Sequence, residues 1–430
     1  MALAAKELYE YLANEEDARV CEEISDAACR DVPGNFFTIF VAQFLSKLAD
    51  ALASTKIVIP WFLTSVGAPA FFGGMLVPIR ESGSLLPQIL IGGYIRQYSV
   101  RKWFYVTGSV LQGLVIAMMA WAVIMLEGMT AGISVTLLLT LFSLARGLCS
   151  VASKDVLGKT IPKRRRGLLS GYCASAAGFV TIAIGGALTL EARPGSEHTI
   201  WLLIVAAICW LSAAIAYSRV QEYAGESEGG ASTLKQAISR LSILKTDQNF
   251  RRFVITRCLL MSSGLAAPYF IILAGQSGEA GSLLDLGVFV IAGGAASLIS
   301  GVIWGKLADR SSRKLMIGCA LLAFVLCSLA SVLAYFLTTG YTPLLVGLFF
   351  LLSVTHEGVR LGRKIFIVDL AEGNRRTDYV AVSNTLIGAL LLIIGGSGAL
   401  LAQLSLSAVL AFYATSSLLA CIVGLRLPEA

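Results

Sequence analysis

Charge is what this chain has least of. Lys, Arg, Asp and Glu make up 14% of its 430 residues, where a soluble domain carries roughly 25%. That scarcity excludes an ordinary water-soluble globular protein. Histidine occurs only twice and the nine cysteines include no C-x-x-C pair, so no metal-ligand set is present. Seven cysteines sit in apolar runs as small hydrophobes, while Cys21 and Cys29 precede the first run and are expected to be reduced. There is no G-x-x-x-x-G-K-[S/T] loop to cradle ATP, and no nucleophile stands with a base in a catalytic constellation. The net charge of +7 is scattered over short connections rather than gathered on one basic face, which excludes a nucleic-acid partner. No cofactor is implied.

What is present is apolar. Hydrophobic residues make up 56% of the chain, the mean hydropathy is +0.77, and twelve apolar segments follow one another between residues 37 and 426. At about 20 residues per crossing, they leave little for any soluble domain. The reading is an all-α polytopic membrane protein of twelve transmembrane helices whose first partner is the lipid bilayer. The first apolar run follows a polar, acidic leader over residues 1–34, unlike a cleaved signal peptide. Leu8, Tyr11 and Leu12 lie at helical spacing in that leader, so it reads as a short amphipathic helix beneath the basic loops, or as a plug at the inner mouth. Alternate connections carry "RQYSVRK", "GKTIPKRRRG" and "KLADRSSRK", whereas the opposite set holds Arg193 as its only basic residue. The positive-inside rule then places both termini in the cytoplasm of an inner- or plasma-membrane protein.

The chain also repeats itself. "NFFTIFVAQF" at Asn35 meets "NFRRFVITRC" at Asn249, Gly93 meets Gly305, Gly178 meets Gly388, and "IGG" at Ile184 meets "IGG" at Ile394, in one collinear order. The halves are a six-helix bundle over 35–218 and a second over 251–430, joined by a polar linker over 219–250. The linker's "STLKQAISRLSILK" has the pattern of an amphipathic helix on the inner membrane face. Between the second and third helices of the second half runs "GKLADRSSRK", with Gly305, Asp309, Arg310, Arg313 and Lys314. The first-half copy keeps Gly93, Arg101 and Lys102 but has Gln97 at the acidic position and Tyr98 at the next basic one. Two six-helix halves with such a loop in each resemble the major facilitator superfamily of transporters, from Asn35 onward. The resemblance implies two bundles rocking about a central site, and a loop that acts at the cytoplasmic gate. By physical chemistry the loop reads either as a charged latch, with glycine for close approach, or as a plain turn carrying anchoring cations.

Charges also lie where lipid would be expected: Lys47, Asp50 and Lys56 in the first segment, Arg80 and Glu81 in the second, Arg146, Lys154 and Asp155 in the fourth, Arg257 in the seventh, and His356, Glu357, Arg360, Arg363 and Lys364 in the tenth. At about 2.5–3.5 kcal/mol each against lipid, they must pair or line a wet cavity. Lys47–Asp50 and Arg80–Glu81 are equally readable as packing ion pairs, and Asp50 and Arg80 lie at matching heights. Arg146 and His356 sit near mid-membrane at corresponding places in the repeat. The expected solute and proton cavity therefore comprises Lys47, Asp50, Arg80, Glu81, Arg146, Arg257, His356, Glu357 and Arg360, with Glu357 beside His356 as the proton-coupling candidate. Lys154, Asp155, Arg363 and Lys364 fit a cytoplasmic gate, and Lys56 is expected to snorkel at the outer end. An arginine at the level of Arg146 also resembles a position used for substrate or proton coupling in many facilitators. The Gly-Pro core of the family's antiporters is absent from the fifth segment.

The resulting expectation is a monomeric, proton-driven secondary transporter of a small, anionic or carboxylate-bearing solute. The alternatives are efflux of amphipathic compounds, a membrane-embedded enzyme, and a non-transporting receptor.

Overall fold

The computed structural model describes residues 26–95, 97–190, 197–225, 242–276, 283–336, 342–370 and 374–428. Among them every regular element is a helix: α1 (Asp26–Leu52), α2 (Val58–Ser65), α3 (Ala70–Leu85), α4 (Gln88–Ile95), α5 (Lys102–Met125), α6 (Gly128–Thr160), α7 (Lys163–Leu190), α8 (Glu197–Ser218), α9 (Ile243–Thr246), α10 (Gln248–Leu260), α11 (Ser262–Gln276), α12 (Leu283–Arg310), α13 (Ser312–Phe336), α14 (Thr342–Leu370), α15 (Asn374–Leu404) and α16 (Leu406–Gly424). Nine spans among the described residues are long and apolar enough to cross a bilayer, α10 and α11 forming one of them. The other three crossings are α1–α2, α3–α4 and α12, which completes the twelve segments of the sequence.

The first two crossings are interrupted, and the interruptions matter to the site. α1 stops at Leu52 because Ser54 takes over its hydrogen bonds: the Ser54 carbonyl accepts from the amides of Ile57 and Ile59, and its hydroxyl accepts from the Lys56 amide at 3.3 Å. A serine that bonds nearby backbone offers the chain an alternative to the helical ladder. The second crossing breaks between Leu85 and Gln88, where Pro87 has no amide to continue the helical ladder. Both broken crossings carry charge into the membrane.

Two details differ from the sequence reading. Pro33 lies inside α1 instead of closing the leader. Residues 1–25 and most of the linker helix fall outside the described residues, leaving only the short α9 of the latter. Cys29, expected to be reduced, is disulfide-bonded.

The two halves meet along two long seams, α7 against α12 and α3 against α15. The glycines matched in the sequence repeat do matched work there. A Cβ on Gly178 would come within 2.9 Å of Leu298, and one on Gly185 within 2.8 Å of Ile291. Their counterparts 210 residues later face the other seam: a Cβ on Gly388 would come within 3.0 Å of Leu86, and one on Gly395 would overlap Pro78. Gly186 and Gly396 both face open space. The repeat is thus a physical two-fold, with equivalent helices packed through equivalent notches.

The apolar core is in three parts. One cluster crosses both halves, joining Ile59 and Phe62 of α2 to Tyr269 and Phe270 of α11. The other two stay within single halves: one around Phe36 and Tyr217, the other around Phe250 and Phe366. The halves are therefore fused at one end and separate at the other, and the separate end carries the basic connections.

Candidate functional site

Between the halves lies a cavity of about 650 Å³. It reaches from Ile57 and Val290, under the shared core, to Gln43, Ser153 and Arg363 toward the basic end. Lys47, Asp50, Arg80, Glu81, Arg146, His356, Glu357 and Arg360 all line it. Asp50 of α1 is clasped by two arginines. Arg80 of α3 donates to its Oδ1 at 2.8 Å, and Arg146 of α6 donates from Nη1 at 2.5 Å and 2.7 Å to the two oxygens. The three side chains retain 22%, 13% and 33% exposure, so the cluster faces the cavity and is not sealed in protein. Three helices of the first half are tied at one carboxylate.

The second half meets this cluster with different chemistry. His356 of α14 is buried, and its Nδ1 lies 3.0 Å from the Ser263 hydroxyl. Its ring fills the space over Gly264, where a Cβ would come within 2.5 Å of Cε1. Gly264 corresponds to Asp50 at the repeat spacing that aligns Asn35 with Asn249, and His356 corresponds to Arg146 at the slightly shorter spacing that aligns Gly178 with Gly388. The arginine–aspartate pair of one half is replaced by a histidine–glycine contact in the other. Glu357 pairs with Arg360 at 2.7 Å, one helical turn away.

Two further cations line the cavity. Arg363, expected at a gate, is on its wall, with Nη1 3.2 Å from the Met261 sulfur. Lys56, expected to snorkel outward, also faces the cavity. The break after Leu52 is the reason: a count of residues along an unbroken helix carries Lys56 past the centre, whereas the turn over residues 53–57 points it inward. Arg257 moves the opposite way. It is buried away from the cavity, donating to Ser383 at 2.6 Å and to Asn384 at 2.9 Å, and so pins α10 to α15.

At the basic end, Arg101 pairs with Asp155 at 3.0 Å, and the Lys102 ammonium donates to the carbonyls of Ser218 and Val220. Glu222, which the sequence reading passed over, is the centre of this end. Its fully buried carboxylate accepts from the amides of Arg101 and Lys102 at 2.6–3.0 Å and from Lys159 at 2.9 Å. A carboxylate at the N-terminus of α5 meets unpaired amides and the positive end of the helix dipole. Glu222 thus supplies, from beyond α8, the negative charge missing at the exposed Gln97.

The second-half decapeptide is not an open loop. α12 continues to Arg310 and α13 starts at Ser312, leaving one residue between them. Arg313 donates to the carbonyl of Leu425 at 2.7 Å, the Lys314 amide donates to the Ser311 hydroxyl, and Arg310 is exposed. A Cβ on Gly305 would meet nothing within 4 Å. The close approach expected of that glycine is therefore absent in this conformation. Gly93 is half-buried in α4, and Lys154 and Lys364 are exposed and off the cavity lining. The side chain of Asp309 lies outside the described residues.

A family profile described as Major Facilitator Superfamily matches residues 39–330. The chain belongs to that superfamily. Solved facilitator structures share its fold. The nucleoside transporter NupG (D323A mutant) superposes with a TM-score of 0.71 at 10% identity, over 92% of this chain and 100% of that one. A D-xylose-proton symporter gives 0.67 at 16% identity, over 92% and 98%. A bacterial homologue of the iron transporter ferroportin, in its inward-facing state, gives 0.61 at 16% identity, over 92% and 98%. No curated protein sequence matches the chain. As a major facilitator, it is a secondary transporter of a small molecule, held here with its central cavity open at the basic end.

Proposed function

We propose that this facilitator carries a small organic anion by alternating access, driven by a proton gradient, with both termini in the cytoplasm. The observation that carries the reading is charge: six cationic side chains line the cavity (Lys47, Lys56, Arg80, Arg146, Arg360 and Arg363) against the acids Asp50, Glu81 and Glu357. Arginine grips a carboxylate through two parallel bonds, and a low-dielectric pocket of one sign concentrates the opposite one. Eight serines and Thr181 add hydroxyls to the lining, whose aromatic residues are Tyr105, Trp210 and Phe349. This wall suits a hydrophilic solute better than an amphipathic drug. The basic end is cytoplasmic by the charge asymmetry of the connections, which makes the conformation inward-facing.

Glu357 is the proton carrier in this reading. It pairs with Arg360 and shares the cavity wall with Lys56, with His356 beside it in the chain. Protonation cancels the charge that holds Arg360 and frees that guanidinium, so proton and solute occupancy become linked through one side chain. The test is uptake and exchange in proteoliposomes. Acid outside should drive accumulation of an organic acid, and Glu357→Gln should keep solute-for-solute exchange while losing gradient-driven accumulation. Accumulation indifferent to the gradient would remove proton coupling, and transport restricted to neutral or cationic solutes would remove the anion.

A further inference from the structure

The first-half wall of the cavity keeps polar atoms that the protein itself leaves unused. Arg146 of α6 gives Asp50 a single nitrogen, Nη1. Its Nε and Nη2 bond nothing among the described residues, and the side chain keeps 33% exposure on the cavity lining. These two nitrogens form one edge of a planar fork, which matches the two oxygens of a carboxylate. Cys149 lies one helical turn further along α6, about 4.5 Å toward the basic end. There it meets Gln112 of α5, whose Nε2 donates to the Cys149 sulfur at 3.1 Å and to the Gly108 carbonyl at 3.2 Å. A carbonyl only accepts, so this contact fixes which way round the amide lies. Gln112 is 3% exposed and lines the cavity, yet its Oε1 has no hydrogen-bond partner among the described residues. Nor is that oxygen sealed inside the protein.

A deeply buried amide oxygen without a partner costs free energy until a donor reaches it, and the cavity is the side from which one can come. We infer that the transported solute is a hydroxy acid. Its carboxylate lies on Nε and Nη2 of Arg146, sharing the guanidinium with Asp50, and its hydroxyl donates to Oε1 of Gln112. The inference rests on the anion reading above and narrows it to acids that carry a donor beside the carboxylate. A hydroxyl suits this place better than an ammonium, because the neighbouring guanidinium repels a second positive charge. Gln112 is the specificity-determining residue; Arg146 serves acids with and without a hydroxyl.

The experiment is a thermal-shift titration of the full-length protein in detergent. Propionate and butyrate are compared with lactate and the positional isomers of hydroxybutyrate, and with alanine and the isomers of aminobutyrate. The expected result is that at least one hydroxy acid half-saturates about tenfold below its parent acid, as one hydrogen bond to a desolvated acceptor provides. In Gln112→Met, of like length but without the amide, that advantage disappears while the parent acids titrate as before. Arg146→Gln weakens every acid. A monodisperse elution profile and a single cooperative melting transition establish that Gln112→Met is folded; should it aggregate, Gln112→Leu carries the comparison. Hydroxy acids that bind no better than their parents, or an advantage that survives loss of the amide, overturn the hydroxyl contact while leaving the anion reading intact. A larger gain from an amino acid, lost in Gln112→Met, overturns it in favour of an ammonium. Stabilisation by none of the acids, with a response to neutral or cationic solutes, sinks the anion reading and this inference together.

Discussion

At the scale of the residue, Asp50 decides what the two best-placed arginines can do. Its carboxylate occupies Arg80 and Arg146 at 2.5–2.8 Å, so any solute carboxylate must compete with it. Asp50→Asn should therefore tighten organic-acid binding by about tenfold, read as a fall in half-saturation in a thermal-shift titration. Weaker binding in that variant would show that Asp50 positions the arginines instead of occupying them. Gly264 offers a second test. Gly264→Ala drives a Cβ against the His356 ring and should cost about 1–3 kcal/mol as overpacking. Adding His356→Ala should recover most of the loss, a non-additivity that a double-mutant cycle in thermal unfolding detects. Arg146 and His356 were legible because depth follows from counting residues along an unbroken helix. Lys56 and Arg257 were not. The first turns on a serine that ends its helix early, and the second on which face of α10 meets Ser383 and Asn384, partners more than a hundred residues away along the chain.

At the scale of the element, the basic end of the first half is held by a residue that belongs to no motif. Glu222 joins the start of α5, the end of α6 through Lys159, and the chain leaving α8. Glu222→Gln removes the charge from this buried cluster and leaves Lys159 without its partner. A loss of about 3 kcal/mol is expected, measured as a lowered unfolding midpoint. Gln97→Asp, at the exposed position where the loop pattern has its acid, should not rescue it, since that side chain faces outward. Sequence alone hid Glu222 because its partners lie 63 to 121 residues away and its neighbours read as linker. The family's loop was readable in its residues and misleading in its shape: the second copy is almost continuous helix, broken only at Ser311.

At the scale of the whole molecule, the repeat proved the most informative reading, because glycines that let helices touch leave the same trace in both halves. The notches on the two long seams accompany contacts at the fused end: a Cβ on Gly73 would come within 2.7 Å of Ile272, and Gly74 admits the Tyr269 hydroxyl. These contacts cross from one half to the other at the closed end, so they must separate when the carrier turns over. Gly74→Ala should disfavour closure of the end opposite the basic connections and raise the labelling rate of a cysteine introduced at Thr64 by a membrane-impermeant maleimide severalfold, by the size of one overpacked contact. Unchanged labelling would mean that the notch moves with its tyrosine as one body.

The tripartite core has a thermal consequence. Turning over must split the apolar cluster shared by α2 and α11 and wet its faces, whereas the surfaces that close in exchange carry Lys47 and Arg363 among their residues. The two facings then differ in heat capacity, and the adhesion that favours the present one weakens as water cools. Chilling the carrier should by itself tilt it toward the opposite facing, in the absence of any solute or gradient.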